Sequence, residues 1–338
     1  MRKTLLLFAL ILIMTACGGK KNDPANLADL KPVDAKGESF LFKYTFQKGQ
    51  ELKYKLTTIN SADEEIKADS VSGTKVNETA NYTIALSALD VDKDSVAEFN
   101  VTVTAVDLDS KVNGNETKYS SSDTKMKPEE KKAFIQYEAI LNNPFRMRVN
   151  GKGEVLEVSR VDKIVDKILA LNPPPKPLST DEKNTLIKNI SEGAIQPLVQ
   201  QLFRLMPDKK LKVDSTWTYS YPNQVGQLLI TNKVVFKFDE LLGASGNKIA
   251  KISAQMIPTI SGNKNMTDGK IDAVFDDPKI SGGGTAFFDV EAGILQKSET
   301  WTSQEFRIVL TSRDPAQGKK KVARKQSSKN TLIVELIK

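Results

Sequence analysis

The chemistry open to this chain is set first by what it lacks. None of its 338 residues is a histidine, and Cys17 is the only cysteine. Histidine is the usual general base near neutral pH and the commonest metal ligand, so neither a Ser-His-Asp relay nor an imidazole metal site can be assembled. One thiol supports no intramolecular disulfide and no multi-thiolate zinc site. Carboxylates remain. Asp90, Asp92 and Asp94 alternate as calcium ligands do, with Asp107 and Asp109 downstream. The segment lacks the internal glycine and the closing glutamate of a calcium loop, whose place is taken by Val101, so an exposed turn is expected. Asp272, Asp276 and Asp277 form a second acidic group. A glycosidase would need two such acids about 5–10 Å apart across a cleft. Ser281-Gly282-Gly283-Gly284-Thr285 is glycine-rich, but a phosphate-cradling loop opens a helix, and Ala286-Phe287-Phe288-Asp289-Val290 has strand character. The heavy apolar residues Trp217, Tyr219, Phe236, Phe287 and Trp301 are the candidate lining of an apolar ligand site. They are also what a β core would use. No catalytic residue, cofactor or metal is expected.

Cys17 has another use. Arg2 and Lys3 precede an apolar run from Leu5 to Met14, the layout of a secretory signal. The run falls short of the roughly 20 residues that span a bilayer. Met14-Thr15-Ala16-Cys17 resembles the lipobox of bacterial lipoproteins, with Met14 where leucine is usual. That resemblance implies cleavage between Ala16 and Cys17, acylation of Cys17 with palmitate-like chains, and attachment to a membrane through the lipid. Gly18, rather than aspartate, after the cysteine implies the outer membrane. Lys20-Lys21, in place of an acidic cluster, favours the periplasmic face over surface exposure.

Composition is that of a globular protein, with 39% hydrophobic and 27% charged residues. The net charge of +7 is concentrated near the C-terminus, at Lys319, Lys320, Lys321, Arg324, Lys325 and Lys329. Such a run could meet anionic headgroups, or form a solvated loop between strands. No aromatic residue interleaves with it, so nucleic acid is not an expected partner.

The elements that must position these residues are mostly strands. Phe40 to Tyr44, Glu51 to Ile59, Ala80 to Leu89 and Ser95 to Val106 alternate in the two-residue period, the last two forming a hairpin over the turn at 90–94. Phe145 to Val149 and Glu154 to Val158 flank Asn150-Gly151, a strong hairpin signal. Helices are predicted over 127–141, 160–171, 179–190 and 192–206, the second ending at the prolines 173, 174, 175 and 177. Strands return at 213–219, 232–242, 246–256 and 285–298.

The later strands echo the earlier ones: an opening strand, a long hairpin, an insert, then strand, glycine turn and strand. The motif from Thr285 through Asp289 and Gly293 to Ser298 parallels Phe145 to Ser159, which suggests a duplication. On these turn and core residues, from about Phe40 to Ser312, the chain resembles a bacteroidete-type family of β-rich lipoproteins of unknown function. More loosely it resembles the periplasmic lipoprotein carriers (LolA-like), whose curved sheet holds acyl chains.

The expected fold is α+β and mainly antiparallel: two related curved sheets or half-barrels forming one unit with a helical insert. The expected organisation is signal 1–16, lipidated cysteine and tether 17–38, β-rich half 39–159, helical connector 160–208 and β-rich half 209–338. The expected role is non-enzymatic: an envelope lipoprotein binding an apolar ligand, a lipid or an envelope partner. A structural subunit of an outer-membrane complex is the alternative, and a carboxylate-dependent glycan hydrolase a third. Oligomeric state is open.

Overall fold

The computed structural model describes residues 27–225, 227–244, 247–314 and 320–338. The lipobox, Ala16 and Cys17 included, lies outside the described residues, as do Lys319 and the start of the expected tether.

Fifteen strands form one antiparallel sheet, so the two expected halves are continuous. In the first half Glu51–Lys67, Val71–Val91, Ala97–Val112, Phe145–Val149 and Val155–Ser159 lie side by side in chain order. In the second, Thr216–Val225, Leu228–Ala244, Asn247–Gly262, Lys279–Asp289 and Ile294–Ser312 do the same. Each half carries its insert after the third strand. In the first it holds the strand Asn115–Ser120 and helical turns from Pro128 to Ile140, in the second the hairpin of Asn265–Asp268 and Ile271–Phe275. The C-terminal strand Lys321–Ile337 joins the halves by pairing with both Ile294–Ser312 and Glu51–Lys67.

Alternating apolar residues give these strands one buried face. Glu51–Lys67 begins with Leu52, Tyr54 and Leu56 buried between exposed partners, then loses the pattern as it runs on past the core. Helices Asp162–Leu171, Thr180–Ile190 and Gln196–Gln200 belong to the connector. Ser179 and Glu182 cap the second reciprocally: the Glu182 N–H donates to Ser179 Oγ (3.3 Å) and the Ser179 N–H to Glu182 Oε2 (2.8 Å).

Both glycine turns close on the same segment. Residues 42–46 run extended through the core with Phe42, Tyr44 and Phe46 buried. The Tyr44 N–H donates to the Gly151 carbonyl (2.8 Å), and the Thr45 N–H to the Gly293 carbonyl (3.1 Å). Gly153 and Gly293 have φ of +85° and +67°, and a Cβ on either would press into this segment. The segment is thus held from each half by an equivalent turn.

Three sequence expectations change. Only Phe40–Leu41 is strand; the residues beyond it bond to turns because their side chains must reach the core between the halves. The helix expected to reach 206 stops at Gln200, after a π-helical turn over Ser191–Ile195, and Leu202, Phe203 and Met206 continue into the core. The basic run is strand from Lys321 onward rather than loop, since pairing on both sides satisfies its backbone.

Candidate ligand-binding trough

Side chains alternate along a strand, and residues paired across an antiparallel ladder share a face. Ser298, Val334 and Leu56 are paired in register and fully buried, which identifies the inner face. Continuing by twos along Ile294–Ser312 brings Thr300, Thr302, Gln304, Phe306 and Ile308 onto that face. Ile308 belongs to a second, smaller core, where Leu228, Ala273 and Phe275 pack with Ile260, Met266 and Leu310. The inner face therefore runs from the main core to this satellite core, about 26 Å at about 3.3 Å per residue.

One side of this face, the candidate trough, is apolar. Trp217 is paired with Phe236, Tyr219 with Val234 and Tyr221 with Asn232, and on the next strand Met256 is paired with Val234 and Pro258 with Asn232. Trp217 is stacked on Phe236 (5.2 Å between centroids, 13° between planes) and on Phe42 (6.1 Å, 27°). Tyr219 is 48% exposed on the edge strand, and Ile230 beyond it is fully buried. The other side is polar, with Thr302, Asn330 and Asn60 in one row and Gln304 and Ser328 in the next. Among the described residues of this span the inner face holds three charged side chains, Glu78 and the ion pair of Glu64 with Arg324.

The outer face is the reverse. Lys279 and Lys325 both engage Glu305 (2.9 and 3.2 Å), Arg307 meets Asp276 (3.3 Å), Lys75 meets Asp63 (3.4 Å) and Lys297 meets Glu335 (2.6 Å). Hydrogen bonds from Lys279 and Lys325 hold the Glu305 carboxyl below the usual carboxylate range.

The five expected lining residues divide between these faces. Trp217, Tyr219 and Phe236 are brought together inside. Phe287 and Trp301 are outside, because Phe287 pairs with Lys251 and Lys297 while its neighbour Phe288 points into the core at 0% exposure. The two outer aromatics line an open groove of ≈ 640 Å³ with Gln255, Lys297 and Glu299, floored by the 282–284 glycines. The Trp301 indole lies over Gly283 and supplies the packing that glycine lacks. Sequence reading missed Tyr221, Val234, Met256 and Asn232. The alternation Trp217, Tyr219, Tyr221 was the available signal.

The carboxylates have structural partners. Asp92 Oδ1 accepts from the N–H groups of Asp94 and Val96, both at 2.9 Å, forming the expected turn. Asp272 is hydrogen-bonded by Arg313 and Thr267, and Asp277 meets Lys264 at 2.6 Å. Among the described residues no group of three or more acids could hold a metal ion. Burial raises the Tyr44 and Tyr54 phenols far above their ordinary value, so both act as neutral hydrogen-bonding groups in the core. Tyr54 donates to the Leu295 carbonyl (3.0 Å), and Tyr44 accepts from the Arg204 N–H (2.8 Å). No helix among the described residues is long and apolar enough to cross a membrane.

A family model described as a family of unknown function (DUF6263) matches residues 94–277. No curated protein matches the sequence. Among solved structures, a lipovitellin structure concerned with lipid-protein interactions aligns at a TM-score of 0.38 and 10% identity, covering 87% of this chain and 25% of that one. The chain thus spans about a quarter of the lipovitellin chain. Acinetobacter baumannii OccAB4 aligns at 0.17 with 7% identity, covering 85% of this chain and 98% of that one. Pseudomonas aeruginosa OccK5 (OpdH) gives 0.16 and 10%, covering 85% and 99%. Scores this low transfer nothing from those proteins to this one.

Proposed function

This chain belongs to the DUF6263 family, a family of unknown function, and we propose that it is a non-enzymatic envelope lipoprotein that holds the apolar part of a lipid in its trough. One observation carries this reading: between two apolar cores the inner face is almost free of charge, while the opposite face of the same strands is laced with ion pairs. Solvent alone would select the charged face on both sides, whereas a lipid chain is excluded by charge and accepted by tyrosine, valine and methionine. The acyl anchor expected at Cys17 would keep the trough beside a membrane, facing the periplasm from the outer membrane. Native mass spectrometry on the domain released from its own membranes tests the reading, with a co-purifying lipid as the expected result. The anchor is tested separately: Cys17→Ser should release the protein from salt-washed membranes, and full retention of that variant would refute it.

A second reading has its own support. Thr216–Val225 is an edge strand of ten residues without one charge, in a chain that is 27% charged. Natural edges are usually blunted by charge or proline to prevent strand addition, and of these the strand carries Pro222 alone. An envelope protein could pair along this edge, and a stoichiometric protein in the same mass spectrum would favour that role.

A further inference from the structure

The groove on the outer face has no part in lipid binding, and its walls mix aromatic rings with free polar groups. Gln255, Gly283 and Trp301 share one row across the strands, Thr285 and Glu299 the next, and Phe287 and Lys297 the third. Aromatic, polar and again aromatic surface thus follow one another along an open groove of ≈ 640 Å³. Ligand clefts typically enclose about 300–1,000 Å³. From Ser281 to Phe287 the floor is about 20 Å long, enough for a chain rather than a single ring. No side chain rises from it at residues 282–284, so Trp301 rests on Gly283 and stays 38% exposed. Lys297 is already ion-paired with Glu335 (2.6 Å). Glu299 and Gln255 are exposed and have no side-chain hydrogen bond or ion pair among the described residues. The groove therefore offers an open indole beside an uncompensated carboxylate, a carboxamide and the Thr285 hydroxyl.

We propose that this groove is a second binding site, for a neutral glycan chain of pyranose sugars with equatorial hydroxyls. Such a ring has C–H groups on its faces and hydroxyls around its rim. Its face suits the exposed Trp301 ring, and its rim suits groups that both donate and accept. Glu299 accepts from sugar hydroxyls through charge-assisted bonds, while Gln255 and Thr285 can do either. Other ligand classes fit less well. An acyl chain would have to desolvate Glu299. A polyanion would meet that same carboxylate with Lys297 already paired. A lone ammonium would use Trp301 and Glu299 but leave Gln255 and Thr285 without a role. The site binds rather than hydrolyses, because Glu299 is the one acid lining it and glycoside hydrolysis takes two.

Isothermal titration calorimetry of the parent protein tests the class of ligand. Cellohexaose, a neutral chain of equatorial pyranoses, should give saturable binding, and a heparin hexasaccharide and choline chloride should each bind at least about ten-fold more weakly. The same titration on two variants tests the place. Trp301→Ala should weaken cellohexaose about ten-fold, the effect of one aromatic contact, and Glu299→Ala should do about as much. Glu299 is exposed, so its variant reports on the groove without disturbing the core. No saturable heat from cellohexaose would overturn the proposal. So would heparin or choline binding as tightly as cellohexaose, the first in favour of an anion site and the second of a cation site. Undiminished binding in both variants would overturn the assignment to this groove. The two sites lie on opposite faces, so the outcome is independent of whether the trough holds lipid.

Discussion

The two faces of this sheet are built from the same strands and the same hydrogen bonds, yet they are chemically opposite. On Ile294–Ser312 the outward residues include Glu299, Glu305 and Arg307, and the inward ones Thr302, Gln304, Phe306 and Ile308. Backbone pairing cannot distinguish them. The difference separates two roles: the outer face solvates a long sheet through ion pairs, and the inner one makes apolar contact with the two cores and, in the function proposed above, with a ligand between them.

The largest test of this division uses neighbours in sequence. Phe288→Ala should cost about 3–5 kcal/mol, because it removes a fully buried ring that packs on Phe42 and Tyr44. Phe287→Ala, on the outer face, should cost under about 1 kcal/mol. Denaturant midpoints of the two variants measure the gap, and equal losses would erase the distinction between the faces. Next in size is charge in the trough. Met256→Lys should weaken lipid binding about a hundred-fold, since a desolvated ammonium has no partner there. Ser303→Lys, on the outer face of a paired strand, should leave binding unchanged when both variants are titrated with octadecanoic acid.

Smaller effects belong to the outer face. Lys297→Ala removes the ion pair with Glu335, which is partly exposed, and should shift stability by about 0.2–1 kcal/mol. The acid side follows from Glu305 and Asp272, whose carboxyls are held low by Lys279, Lys325 and Arg313. A carboxylate with a lowered folded pKa stabilises the fold above its unfolded value, near about 4, and loses that contribution as pH falls through the folded value. Both groups are only partly buried and in reach of solvent, so the loss should be shallow. With no histidine in the chain, no side chain of ordinary pKa titrates between about pH 5 and 8. Denaturant midpoints should be flat across that window and decline only below it.

Much of the architecture was legible in the sequence because period-two alternation and the two glycine turns are local signals. Asn150-Gly151 and the Asp289 to Gly293 turn stood where hairpins were expected, and both halves carry their insert at the same point. The face of each aromatic was not legible. A register shift falls between Phe287 and Phe288, and one extra residue moves every later side chain to the other face. Trp301 lies beyond that shift, so no counting from the core residues Ile294 and Leu295 could place it. Phe42, Tyr44 and Phe46 carried a strand pattern, but their partners are turns far apart in the chain. The trough depends on register between strands from both halves, which a single sequence does not encode locally.

The central claim is that the inner face, and not the outer, holds a lipid. Native mass spectrometry of the domain released from its own membranes tests it most directly, comparing the parent protein with Met256→Lys. A lipid-sized adduct is expected on the parent and should disappear from the variant. A parent protein without an adduct, or one whose adduct persists in Met256→Lys, would contradict it.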